Sequence, residues 1–210
     1  MGYQKIQEMR TAQELLCKVV IIMTSLYNAL KSSYGKQKAI RQLEKDGYIK
    51  DNQLSNHNQS IFYNKKKSKL LTSVAGTHNL KDAVTDVWLA VGGLKSTNRY
   101  KEAKSTLEKA RTKYKPKDTS IVGHSLGGSI AQAIASNTDR VTTFNGASLP
   151  FQNSQTNQTN YRTRGDVVSG FAIGKQHTKT ILSNTPIIGK VNNFLKNHEV
   201  RKIKNEPIYV

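Results

Sequence analysis

Residues 121–135 read IVGHSLGGSIAQAIA: two β-branched residues, a glycine-flanked serine, then a run of small and apolar residues. The segment fits Gly-x-Ser-x-Gly, with a buried strand expected before it (TSIV, 119–122) and a helix after it (LGGSIAQAIAS, 126–136). A strand that turns directly into a helix is the context in which this motif presents a nucleophile. The turn is so tight that side chains two residues either side of the serine would collide, which explains glycine at 123 and 127. Ser125 then projects above the sheet edge as the candidate nucleophile. The backbone N–H of Leu126, at the helix start, points at the same spot and can hold an oxyanion. Small residues at Gly128, Ala131 and Ala135 let the helix pack closely on the sheet.

On either side of this segment the same alternation of strand and helix continues. Between 99 and 115, Ala103, Leu107, Ala110 and Tyr114 are spaced to form one apolar stripe on a helix, which Pro116 ends. QSIFYN (59–64) and KLLTSVAG (69–76) flank a lysine turn and predict a hairpin. KQKAIRQLEKD (36–46) reads as a polar-faced helix closed by Gly47, and RVTTFNGA (140–147) and NYRTRGD (160–166) as further strands. Strands alternating with helices predict an α/β fold with a mostly parallel central sheet flanked by helices. A buried helix is expected at LLCKVVIIMTSLYNAL (15–30), giving an N-terminal helical segment. QNSQTNQTN (152–160) reads as an exposed polar loop.

A length of 210 residues suits a single domain over 1–210. The formal charge of +19 comes from three stretches, 1–70, 95–117 and 160–205, and not from one tail. Spread in this way, it argues against a disordered nucleic-acid arm. It would attract an anionic membrane surface or, less favoured, nucleic acid. A solvated lysine-rich surface from an AT-rich genome accounts for it equally well. One cysteine, Cys17, excludes an intramolecular disulfide framework and any multi-cysteine metal site. The apolar run 15–30 is interrupted by Lys18 and Asn28 and falls short of the ~20 apolar residues a membrane span needs. It also lacks a clear signal-peptide cleavage site. No metal cluster or phosphate-binding glycine loop points to a cofactor, so none is expected.

VGHSLGGSIAQAIA resembles the nucleophile segment of class 3 lipases, the fungal-lipase-like branch of the α/β-hydrolases. The likeness continues upstream through residues 47–92, which include AGTHN, and downstream through VTTFNGASLP, YRTRGDVVS and NFLKNHEV. In all it covers about 45–200. The resemblance implies an α/β-hydrolase fold with Ser125 as nucleophile, Asp166 in RGDVVS as triad acid and His198 in LKNHEV as triad base. Thr77 in AGTHN matches the second oxyanion donor beside Leu126, its backbone N–H assisted by its hydroxyl. The order Ser, Asp, His is the one this fold uses. The implied chemistry is attack by Ser125 on an ester carbonyl, an acyl-enzyme, and release by water.

Alternatives stand beside these residues. Asp139 is the other acid between Ser125 and His198, but it follows the nucleophile helix too soon. His177 also lies after Asp166 and competes with His198 as base. His124 reads as a structural neighbour of the serine and His57 as a surface or loop residue; His78 is another loop residue, or lines the pocket. Asp82 and Asp86 either brace the oxyanion loop or form a solvated helix face, and Trp88 reads as core. Val74 and Ala75 stand where the family usually has an aromatic and an arginine, and Ser169 where a proline often follows the acid. The stretch 78–98 would make a short lid with Gly92 and Gly93 as hinge. The leading expectation is a serine ester hydrolase acting on lipid, a triacylglycerol lipase or phospholipase. The alternative is a non-catalytic hydrolase-fold module that binds anionic membrane or nucleic acid through its basic surface.

Overall fold

A computed structural model describes residues 26–77, 93–146, 157–163 and 178–181, together with Gln7 and Arg10. Within them, seven strands form one sheet in simple sequential order: β1 (Ile49–Lys50), β2 (Gln59–Asn64), β3 (Lys69–Val74), β4 (Asp118–His124), β5 (Arg140–Phe144), β6 (Gln158–Thr163) and β7 (Thr178–Ile181). The first three strands pair antiparallel, and every pairing from β3 to β7 is parallel. Three helices flank the sheet: α1 (Gln37–Lys45), α2 (Asn98–Tyr114) and α3 (Leu126–Ile134). A further helical segment covers 26–32.

Alternate residues of each strand serve opposite faces, so the sheet has two cores. Ile61, Leu70, Ile121 and Val141 pack with Leu107 of α2 and Ile130 of α3. Phe62, Leu71, Val122 and Phe144 pack on the other side with Leu30, and with Ile40 and Leu43 of α1. The stripe expected on α2 is buried at Ala103, Leu107 and Ala110, joined by Tyr100. Thr97 caps α2 by accepting the Tyr100 N–H, and Lys115 ends it in a left-handed conformation just before Pro116. α1 closes at Gly47 (φ 85°), where the Tyr48 N–H reaches back to the Leu43 carbonyl.

The expected hairpin is β2–β3, in register from Gln59 opposite Val74 to Asn64 opposite Lys69. β3 ends at Val74 rather than Gly76, and residues 75–77 continue past the sheet edge. Two strands were not expected. β1 has two residues with Ile49 exposed, and β7 has four, so neither offers enough alternation to read. Of the helix expected over 15–30, the described part from 26 is helical, with Ala29 and Leu30 fully buried. Among the described residues no helix is long and apolar enough to cross a membrane.

Candidate active site

Ser125 sits between the end of β4 and the first residue of α3 with φ 54° and ψ −129°. L-residues avoid this conformation, and holding one there costs about 1–3 kcal/mol. The surroundings enforce it: the Ser125 N–H donates to Phe144 O at 3.1 Å, and its carbonyl accepts from Gly128 N at 2.8 Å. The collision expected at this turn is explicit in the geometry. A Cβ on Gly123 would lie 2.3 Å from the Gly127 carbonyl oxygen. One on Gly127 would lie 2.4 Å from the carbonyl oxygens of both Val74 and Ala75. The first turn of α3 is therefore pressed between its own strand and the end of β3. Ala131 is fully buried, and Gly128 packs on Gly146, as the small-residue helix required.

The Ser125 side chain is buried, yet its Oγ has no hydrogen-bond partner among the described residues. Leaving a buried hydroxyl unpaired costs about 1–3 kcal/mol, so it points to chemistry rather than stability. The Thr77 hydroxyl is likewise buried and unpartnered. Gly76, next to Thr77 in the chain, lies against the serine: a Cβ there would sit 2.9 Å from Ser125 Cβ and 2.7 Å from His124 O. The N–H groups that open α3, Leu126 first, have no acceptor within the helix. Ser125 thus lies against Gly76, the residue before Thr77, and directly before Leu126, above the ends of β3 and β4. Such a position suits attack by a hydroxyl oxygen on a carbonyl whose oxygen faces backbone N–H donors.

Asp166, His198 and His177 lie outside the described residues. So do His78, Asp82, Asp86, Trp88 and Gly92, with the part of the lid expected over 78–92. Residues 93–98 form a short 3-10 turn (Leu94–Ser96) leading into α2. Asp139 is committed elsewhere: its carboxylate pairs with Arg111 and accepts the Ser136 N–H at 2.6 Å. His57 is exposed, as a loop residue should be. Among the described residues no three His, Cys, Asp or Glu side chains gather to hold a metal ion. A cavity of about 310 Å³ between loop 53–56 and α2 is lined by Leu54, Asn56, Glu102 and Lys109, and by none of the site residues.

Three site residues escaped the sequence reading. Tyr34 follows the 26–32 helix, and its hydroxyl accepts the Gly76 N–H at 2.8 Å while lying 2.7 Å from His124 Nδ1. Burial pushes this phenol up to about 12, against smaller opposing effects of the Gly76 N–H and Arg99, so it is neutral. Arg99, in the first turn of α2, donates through Nη2 to Ala75 O at 2.6 Å. Burial pulls its guanidinium below the usual arginine value, and its Nε has no partner among the described residues. Asn145, left-handed at φ 47°, receives the Thr163 N–H on its Oδ1 at 2.7 Å. It thereby ties the end of β6, three residues before Asp166, to the end of β5. None of the three belongs to a motif; their spacing to Ser125 is set only by folding. His124, by contrast, is buried behind the serine as expected.

A model of the phospholipase-like family described as the Tle-like phospholipase domain matches residues 28–195, most of the chain. The chain belongs to the Tle-like phospholipase domain family. Membership makes it a lipid-ester hydrolase of the lipase and phospholipase kind. Solved lipases share its fold at low identity. The Lip2 lipase of Yarrowia lipolytica is 14% identical with a TM-score of 0.55, over 86% of this chain and 82% of that one. The Rhizomucor miehei lipase–propeptide complex is 11% identical with a TM-score of 0.56, over 80% and 70%. A triacylglycerol lipase whose catalytic centre is formed by a serine protease triad is 11% identical with a TM-score of 0.52, over 88% and 82%. These neighbours identify the architecture as the α/β-hydrolase fold of the lipases. A comparison with curated proteins finds no match.

Proposed function

We propose that this chain hydrolyses a phospholipid ester through a Ser125–Asp166–His198 triad, with Thr77 and Leu126 as oxyanion donors, in a single domain over 1–210. The observation that carries the reading is the strained, buried Ser125 side chain beside Gly76, whose hydroxyl has no partner among the described residues. The phospholipid, rather than triacylglycerol, follows the description of the family. His198 takes the hydroxyl proton as Ser125 Oγ bonds to the ester carbonyl carbon, and Asp166 holds the imidazole tautomer. The Thr77 and Leu126 N–H groups take the oxyanion. The alcohol leaves with the proton from His198, and water, deprotonated by His198, then releases the acyl group from Ser125.

Charge supports a peripheral contact with anionic membrane. Lys36, Lys38, Lys95 and Lys101 are exposed near the ends that Tyr34 and Arg99 bring to the site. The deciding assay measures hydrolysis of short- and long-chain p-nitrophenyl esters and of phospholipid vesicles by wild type and Ser125→Ala. Serine-dependent turnover is expected on vesicles; none on any substrate refutes the enzyme reading. His198→Ala should abolish turnover while His177→Ala retains it, and the reverse reassigns the base. Vesicle flotation should be stronger on anionic than on zwitterionic lipid and weaken with salt.

A further inference from the structure

Two side chains from outside the strand–turn–helix hold one peptide unit beside Ser125. The Ala75 carbonyl accepts from Arg99 Nη2 at 2.6 Å, and the Gly76 N–H donates to Tyr34 Oη at 2.8 Å. These are the two polar ends of a single planar amide, so its orientation is fixed from both sides. Arg99 Nη2 also lies 3.4 Å from the Gly76 carbonyl, the oxygen of the next amide. The N–H of that next amide is the one on Thr77, and in a trans peptide it points away from the carbonyl. Tyr34 and Arg99 thus hold the first amide, and Arg99 alone reaches the second, whose N–H is that of Thr77.

The segment needs such a lock. Gly76 has no room for a side chain, with a Cβ there meeting His124 O, Ser125 Cβ and Tyr34 Oη, all under 3.0 Å. Glycine in turn gives both flanking amides the freedom to swing. The ladder of β3 ends at Val74, before either amide. The Tyr34 hydroxyl also reaches His124 Nδ1 at 2.7 Å, so one oxygen joins the oxyanion segment to the residue preceding the nucleophile. The guanidinium is kept here in spite of partial burial and an Nε with no partner among the described residues, a position in which a merely solubilising arginine has no reason to stay.

We propose that Tyr34 and Arg99 are positioning residues that lock the Ala75–Gly76 amide and, through the Arg99 contact with the Gly76 carbonyl, aim the Thr77 N–H at the oxyanion formed on Ser125. This rests on Ser125 as nucleophile and Thr77 as oxyanion donor. The test is steady-state hydrolysis of a short p-nitrophenyl ester by the full chain, with Ser125→Ala as the blank. Tyr34→Phe and Arg99→Met should each lower kcat by about 10- to 100-fold, with KM changed by less than roughly twofold. Arg99→Lys, which keeps a donor, should recover most of the loss. The double variant should be little worse than the worse single, because a lock opened at one end is already open. Single variants that keep kcat within about twofold overturn the proposal. So do losses that raise KM, follow the drop in melting temperature and add independently in the double variant. A wild type without Ser125-dependent turnover instead refutes the hydrolase reading and takes the lock's role with it. The failures are distinct, since only the former outcomes leave wild-type turnover intact.

Discussion

Replacing Gly127 by alanine tests the turn at Ser125 where the start of α3 meets the end of β3. The new Cβ would meet Val74 O and Ala75 O at 2.4 Å and the Ala75 carbonyl carbon at 2.6 Å. Ordinary non-bonded contacts fall near 3.5 Å, so α3 and the end of β3 must separate by roughly 1 Å. No side-chain rotation can relieve this, because all three atoms are backbone. Val74 is moreover paired with both Gln59 and Gly123. Overpacking costs about 1–3 kcal/mol, and a contact with fixed backbone belongs at or above the upper end. Alanine in a helix returns about 1 kcal/mol over glycine, leaving a net loss of about 2 kcal/mol. For a chain of this length that is a fall in Tm of about 4–8 °C. The same separation moves Thr77 from Ser125, so ester turnover should drop about 100-fold. Gly47→Ala is the comparison: it puts alanine at φ 85° far from the site and should cost about 1–2 kcal/mol by strain while turnover stays intact. Thermal melts and p-nitrophenyl ester assays on both variants decide the matter. A Gly127→Ala protein that melts and turns over like wild type shows that α3 and the end of β3 are not packed this closely.

Asp51 should govern the acid limb of stability. Burial alone would raise this carboxyl, but bonds from Lys113 Nζ at 2.6 Å, Tyr114 Oη at 2.8 Å and the Leu54 N–H outweigh it and hold it below the usual carboxylate value. Its stabilisation is therefore full above the unfolded-state value near 3.8 and is lost as pH falls through the lower folded value. Asp51→Asn should cost about 2 kcal/mol at neutral pH and flatten the decline in Tm below about pH 4; a wild-type acid limb in that variant contradicts the assignment. Asn145→Ala should release the Thr163 N–H and cost about 2 kcal/mol, with faster amide exchange at Thr163 as its local signature. Unchanged exchange there shows that Asn145 does not hold β6.

Much of the fold is legible because its signals are local. The hairpin announces itself in two apolar runs around a lysine turn, and α2 in its stripe and the proline after it. The turn at Ser125 is legible at Gly123 for a steric reason confined to five residues, since a Cβ there meets the Gly127 carbonyl. At Gly127 the excluded space is that of Val74 and Ala75, which only folding brings there. β1 and β7 were missed because strands of two and four residues draw their stability from neighbours rather than from pattern. Tyr34, Arg99 and Asn145 were missed for a related reason. Tyr34 and Arg99 lie 42 and 23 residues from Gly76 in sequence, and their contacts depend on which helix end meets which strand end.

The motif, the hairpin, α2 and the likeness to lipases can be read from the chain alone, because neighbours along the chain and local packing patterns decide those. Folding was needed to show that the chain past the end of β3 lays Gly76 against Ser125, and that Tyr34 and Arg99, far apart in sequence, hold one amide there. A hydrogen bond across the fold follows from packing of the two cores, and packing depends on side chains far apart in the sequence.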